Sequence, residues 1–194
     1  MARSKAHLED NQLFFEKLLG SMRFNKIINQ VPKDAAVLDV GCGYHGTLLK
    51  RLEPKISQGI GVDISVNQQV KNHKLNLIQH DLNQTLPLSS DQFDVVISLA
   101  NLEHLENSRG VFQEMHRVMK PGGFLLLTTP TPLAKPVLEF LSYDLKILSE
   151  AEIRDHKIYF NRDLLVTYCR MAGFSSWEHR YFQMGMNNFL RAQK

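Results

Sequence analysis

Cysteine is scarce in this chain. Cys42 and Cys169 are its two cysteines among 194 residues, and they lie far apart. So small a number excludes a disulfide-stapled scaffold and fits a reducing compartment. Paired-cysteine metal spacing is absent as well, so no metal site is expected. Charge of one sign is also lacking. Lys and Arg number 23 against 20 Asp and Glu, and the basic residues form no block, so no nucleic-acid footprint is visible. No apolar run reaches membrane-spanning length, and the first residues are polar and charged with no signal core. The expectation is a cytoplasmic protein, monomer or homodimer, with no integral membrane segment and no nucleic-acid partner. Internal repeats and low-complexity stretches are missing too. What remains is a balanced composition and a length suited to one domain, residues 1–194, with a real core.

The most informative stretch is Val37-Leu38-Asp39-Val40-Gly41-Cys42-Gly43-Tyr44-His45-Gly46. An apolar run ends in an acid and breaks into glycines, as a buried parallel strand does on entering a nucleotide-binding turn. Gly41, Gly43 and Gly46 satisfy G-x-G-x-x-G, which fits more than one cofactor class. Cys42 reads as a small residue filling the turn. Ile60-Gly61-Val62-Asp63 is a second short strand ending in an acid. A carboxylate there can accept hydrogen bonds from both hydroxyls of a ribose, whether of NAD or of S-adenosylmethionine. Leu75–His80 forms a third strand before Asp81, and Phe93–Ser98 a fourth before Asn101-Leu102-Glu103-His104-Leu105. A helix end, a Pro121-Gly122-Gly123 turn and a fifth strand, Phe124–Leu127, follow.

These fragments, in this order, resemble the class I S-adenosylmethionine-dependent methyltransferases across roughly residues 35–130. Small family members have one residue between the second and third glycines; here Tyr44 and His45 both intervene. The resemblance implies that Asp39, Gly41, Cys42, Gly43, Asp63, Ile64, Asp81, Leu82 and Ala100 border the cofactor, with Asp63 on the ribose and Asp81 near the adenine. It also implies an α/β, Rossmann-like doubly wound sheet with helices on both faces. The sheet would be mostly parallel with an antiparallel C-terminal hairpin, in the order 3-2-1-4-5-7-6.

The rest of the chain reads consistently. Apolar spacing over residues 7–30 predicts one or two amphipathic helices, making 1–34 an N-terminal cover. Helices are predicted around Arg109–Met119, capped by Asn107 or Ser108, and over Arg162–Ala172, capped by Asn161 and stopped by Gly173. Strands near 175–183 and 186–192 flank Gly185. Residues 131–160 are extra to the bare fold and read as a helical insertion beside the cofactor edge, forming part of an acceptor site.

Methyl transfer from a sulfonium is an in-line displacement, so a base is useful chiefly for a hydroxyl acceptor. His104 is the first candidate for a base or an acceptor contact, with His156 and Tyr159 next. Glu103 reads as a helix or loop partner. The expected function is methyl transfer to a small-molecule or lipid-linked metabolite, O-methylation slightly favoured. The alternatives are an NAD(P)-dependent oxidoreductase and a non-catalytic S-adenosylmethionine-binding protein of the same fold.

Overall fold

The computed structural model describes residues 20–194 except 22 and 147. The part of the helices expected over residues 7–30 that falls on 7–19, and with it most of the 1–34 cover, lies outside the described residues.

Seven strands form one sheet in the order β3-β2-β1-β4-β5-β7-β6. They are β1 (Ala36–Val40), β2 (Gln58–Asp63), β3 (Leu75–Gln79), β4 (Phe93–Leu99), β5 (Met119–Pro130), β6 (Ser176–Phe182) and β7 (Asn187–Gln193). The first five run parallel, while β7 lies antiparallel to β5 and β6 to β7. The expected fold class and strand order are therefore those observed.

Alternation along the central strands feeds two cores. Val96, Leu125 and Leu127 belong to one core, whereas Val95, Ile97, Phe124 and Leu126 belong to the other. That is period-two burial on both faces of a covered sheet. α2 (Ser108–Val118) and α5 (Arg162–Ala172) cover the first face. α1 (Thr47–Leu52) and the helical segment at 23–28 cover the second, through Leu48, Leu49, Leu52 and Ile27.

Caps fall where the sequence puts them. Asn107 accepts from the Gly110 N–H at 3.1 Å and Asn161 from the Leu164 N–H at 2.8 Å. Gly173 ends α5 in the left-handed region at φ 92°, as glycine does at helix ends. One boundary differs. Pro121-Gly122-Gly123 is not a turn before the fifth strand but a bulge within β5, since Met119 already pairs with Phe93 before the register shifts to Val95 and Phe124. Asp94 stabilises the bulge, accepting from Lys120 Nζ and the Ala36 N–H, each at 2.8 Å.

Residues 131–160 carry α3 (Ala134–Glu139), a π-helical continuation over Phe140–Asp144, and α4 (Glu150–Arg154). The segment then runs without regular secondary structure to Phe160. Among the described residues no helix is long and apolar enough to cross a membrane.

Candidate active site

The turn after β1 is pinned to the end of β2. The Gly41 and Cys42 N–H groups both donate to Val62 O, at 2.8 and 3.3 Å. Gly41 and Gly43 have φ of +84° and +69°, a region other residues enter only at a cost. The two glycines differ in what surrounds them. A Cβ on Gly41 would lie 2.3 Å from Cγ of Asn101, whereas one on Gly43 would meet nothing within 4 Å. The room beside Gly41, expected to admit a ligand, is thus filled by Asn101, and the open backbone is at Gly43. In the lengthened turn the Tyr44 ring is exposed and stands edge-on to His45, centroids 4.9 Å apart.

Three carboxylates line this sheet edge. Asp63 accepts from the Gly43 N–H at 2.8 Å and the Ser65 N–H at 3.4 Å. Asp39 is 3% exposed, and burial, then the nearby Asp63, pushes its carboxyl up to about 7. Asp81 accepts from the Asn83 N–H at 2.9 Å, and that bond holds it below the usual carboxylate range. Leu82 is buried beside it, and Ile64 is exposed next to Asp63. Burial, then the charges of Asp39 and Asp63, push the Cys42 thiol up. It is therefore a protonated, small turn residue and not an activated nucleophile.

Ala100 and Asn101 join this edge to a second feature. Asn101 packs against Gly41, while Ala100, at φ +48°, lines a cavity of about 240 Å³. The insertion supplies an apolar wall through Ala134, Val137, Leu138, Leu141, Leu148 and Ile153. Glu103, His104 and His156 form a polar side, joined by Arg23, Gln183 and Asn187.

The two histidine candidates come together, their ring centroids 4.7 Å apart. His104 Nδ1 lies 3.1 Å from Asp155 Oδ2. An ionised carboxylate only accepts, so Nδ1 carries the hydrogen and a neutral His104 keeps its lone pair on Nε2. Lys157, then His104, holds Asp155 below the usual carboxylate range. His156 is pushed down to about 4 by burial and then by His104, so it is neutral at pH 7. Its Nδ1 lies 3.0 Å from the Tyr159 hydroxyl, which burial pushes up to about 12. Tyr159 reaches the cavity through His156 and does not line it.

Glu103 reads from the sequence as a helix or loop partner. It is 1% exposed and lines the cavity, where Thr129 Oγ1 donates to its Oε2 at 3.0 Å. Burial raises its carboxyl above the ordinary value. Its backbone also anchors the insertion, because Glu103 O accepts from the Lys157 and Ile158 N–H groups at 2.7 and 3.4 Å. The sequence signal was a lone acid between Leu102 and Leu105 at a strand end. Asn187 was missed; it is 7% exposed, and among the described residues its Oδ1 has no hydrogen-bond partner.

Comparison with known proteins agrees with this fold. The family model described as "Methyltransferase domain" matches residues 38–127. The chain is 26% identical to a demethylmenaquinone methyltransferase of Staphylococcus carnosus, covering 96% of this chain and 93% of the relative. It is 27% identical to a mitochondrial ubiquinone biosynthesis O-methyltransferase of Dictyostelium discoideum, over 55% of this chain. This chain spans only 37% of that relative's length. Among solved structures, a SAM-dependent methyltransferase of Archaeoglobus fulgidus superposes with a TM-score of 0.71 at 20% identity, covering 94% of this chain and 98% of the other.

Proposed function

We propose, for a chain whose residues 38–127 match the family model described as "Methyltransferase domain", S-adenosylmethionine-dependent methyl transfer to a hydroxyl of a small-molecule or lipid-linked acceptor. The observation that carries this reading is the junction at Ala100–Asn101, where the glycine turn meets a cavity with one apolar and one polar wall.

The donor set at the turn suits S-adenosylmethionine. Asp39 and Asp63 are like charges near one another, and a ligand bearing an ammonium and a sulfonium relieves their repulsion. A dinucleotide would bring an anionic pyrophosphate to the same carboxylates, which disfavours the oxidoreductase alternative. Asp63 would hold the ribose hydroxyls, Asp81 the adenine end, and the open backbone at Gly43 the aminocarboxypropyl end. The cofactor supplies a methyl group already activated by positive sulfur.

The chain's own residues do the rest. Val137, Leu138, Leu141 and Ile153 exclude water from the cavity and take the acceptor's apolar body. His104 Nε2 accepts the proton of the acceptor hydroxyl while Asp155 holds the ring by Nδ1. His156, neutral and held by Tyr159, and Asn187 Oδ1 offer further contacts to a polar head.

Calorimetric titration with S-adenosylhomocysteine, NAD and NADP tests the cofactor. Only the first is expected to bind, and Asp63→Ala should weaken it roughly 10–150-fold. Unchanged affinity in that variant would sink the assignment. His104→Ala should leave this binding near wild type and cut turnover on a responsive hydroxyl acceptor about 10²–10⁴-fold. A mere cofactor-binding protein would turn over no member of a hydroxyl-bearing amphiphile panel.

A further inference from the structure

We propose that Glu103, His104 and His156 form a binding site for one divalent d-block cation, with zinc as the type ion, open toward the acceptor cavity. One ligand atom from each of the three lies within 4.8 Å of the others. All three residues line the same cavity.

Sequence spacing did not announce this site, because the fold assembles it. Glu103 and His104 sit in the 3-10 turn Leu102–His104 after β4, and His156 comes from the insertion. The two segments are tied by hydrogen bonds that need no ion, from the Lys157 and Ile158 N–H groups to Glu103 O. The ligand set is therefore held together before a cation arrives.

The surroundings of each ligand match what a metal requires. Metal-binding imidazoles use one nitrogen for the ion and tie the other to an oxygen partner. Here His104 Nδ1 meets Asp155 Oδ2 at 3.1 Å, and His156 Nδ1 meets the Tyr159 hydroxyl at 3.0 Å. Both leave Nε2 for an ion. Glu103 is buried, and Thr129 Oγ1 fixes one carboxylate oxygen at 3.0 Å. A buried carboxylate is costly without a counter-charge. Arg23 lines the same cavity and its charge also acts on Glu103, so a cation binds here in competition with that guanidinium.

The donor types select the ion. Two imidazoles and one carboxylate suit zinc and its first-row neighbours, whereas magnesium and calcium favour all-oxygen sets. Three protein ligands with an open fourth position describe a catalytic rather than a structural zinc site. That fourth position is available to an oxygen of the occupant of the cavity. This last step rests on the acceptor reading above; cation binding does not. With the ion in place His104 is a ligand. The cation, rather than the imidazole, would then polarise the acceptor hydroxyl.

The test uses the full chain after chelator treatment. Zinc and magnesium are titrated by calorimetry, and cobalt(II) by its visible ligand-field bands. S-adenosylhomocysteine is titrated on every variant as an independent readout of the folded domain. The expected result is one zinc or cobalt per chain, with magnesium much weaker. His156→Ala and Glu103→Gln should abolish or severely weaken zinc binding while S-adenosylhomocysteine still binds. Asp155→Asn, which removes no ligand, should weaken zinc about 10–100-fold, and His116→Ala, remote from the cluster, should leave it unchanged. Where a ligand variant fails to fold, wild-type stoichiometry and Asp155→Asn decide. The proposal is overturned if the folded wild type binds no zinc saturably, if binding survives His104→Ala with His156→Ala, if Asp155→Asn binds as wild type, or if magnesium binds as tightly as zinc. Homocysteine-nucleoside binding without zinc would remove the metal and leave the methyl-transfer reading standing; zinc without that ligand would do the reverse.

Discussion

Gly41 and Gly43 share a backbone sign but not a reason for being glycine. At Gly41 the space a methyl would need is occupied by the Asn101 side chain, 2.3 Å away. At Gly43 that space is open, and the adjoining N–H is held by Asp63. Gly41→Ala must therefore displace Asn101 as well as pay for a left-handed φ, and should destabilise the fold by more than the roughly 1–2 kcal/mol of the backbone term alone. Gly43→Ala carries only the backbone term and should fold. Denaturant midpoints should rank Gly41→Ala below Gly43→Ala, and adding Asn101→Ala to Gly41→Ala should recover part of the loss. If the turn's open side receives ligand at Gly43, Gly43→Ala should still weaken S-adenosylhomocysteine strongly in a calorimetric titration. Equal stability losses in the two variants would remove the distinction drawn here.

At the scale of elements, one side chain stitches three of them. Asn188 in β7 is fully buried; its Nδ2 donates to Thr129 O of β5 at 3.2 Å and to Phe160 O, where the insertion ends, at 2.7 Å. Asn188→Leu removes both bonds and the contact of its Oδ1 with His179 Nε2 at 2.8 Å, and should cost about 2–6 kcal/mol. Thermal melts should show the loss, and limited proteolysis should cut first in residues 131–160. Melting at the wild-type temperature would mean that other contacts hold the insertion. Such ties explain what was legible beforehand. β1 to β4, α2 and α5 were readable because apolar runs, Asn caps and Gly173 act over a few residues. The Pro-Gly-Gly segment was misread because its role depends on Asp94 and on pairing with Phe93, across the sheet. The place of His104 on the cavity was legible because it follows a strand at the ligand edge. The burial of its neighbour Glu103 was not legible, because the insertion that its carbonyl oxygen anchors lies far along the chain. Asp155 became a site residue for the same reason: His104, which it meets at 3.1 Å, is distant in sequence.

For the whole molecule, the buried titratable groups set how stability and cofactor binding respond to pH. Burial raises Asp39 to about 7 and moves Glu103 up, while His156 is lowered to about 4 and His116 is also lowered, each chiefly by burial. The signs oppose. Between its unfolded value near 3.8 and about 7, Asp39 holds a proton in the folded state that the unfolded chain has lost, so its contribution to stability falls as pH rises. Between about 4 and 6.5, His156 lacks a proton that the unfolded chain holds, so its contribution grows as pH rises. One proton in either sense is worth about 1.4 kcal/mol per pH unit. From pH 4 to 6.5 the two largely cancel, and single variants should expose them. Asp39→Asn should add an upward slope of that size relative to wild type, extending to about pH 7, and His156→Ala a downward one ending near 6.5. Urea unfolding across pH 4–8 measures both, and parallel profiles for Asp39→Asn and wild type would show that Asp39 is not protonated in the folded chain. The same group ties stability to function. A cationic ligand beside Asp39 favours its ionised form, so S-adenosylmethionine should expel that proton on binding at pH 6. Its affinity should therefore rise with pH and level off just above 7. Calorimetry in buffers of different ionisation enthalpy should record close to one proton released at pH 6, and none in Asp39→Asn. Wild-type binding without proton release would place the positive end of the cofactor away from Asp39.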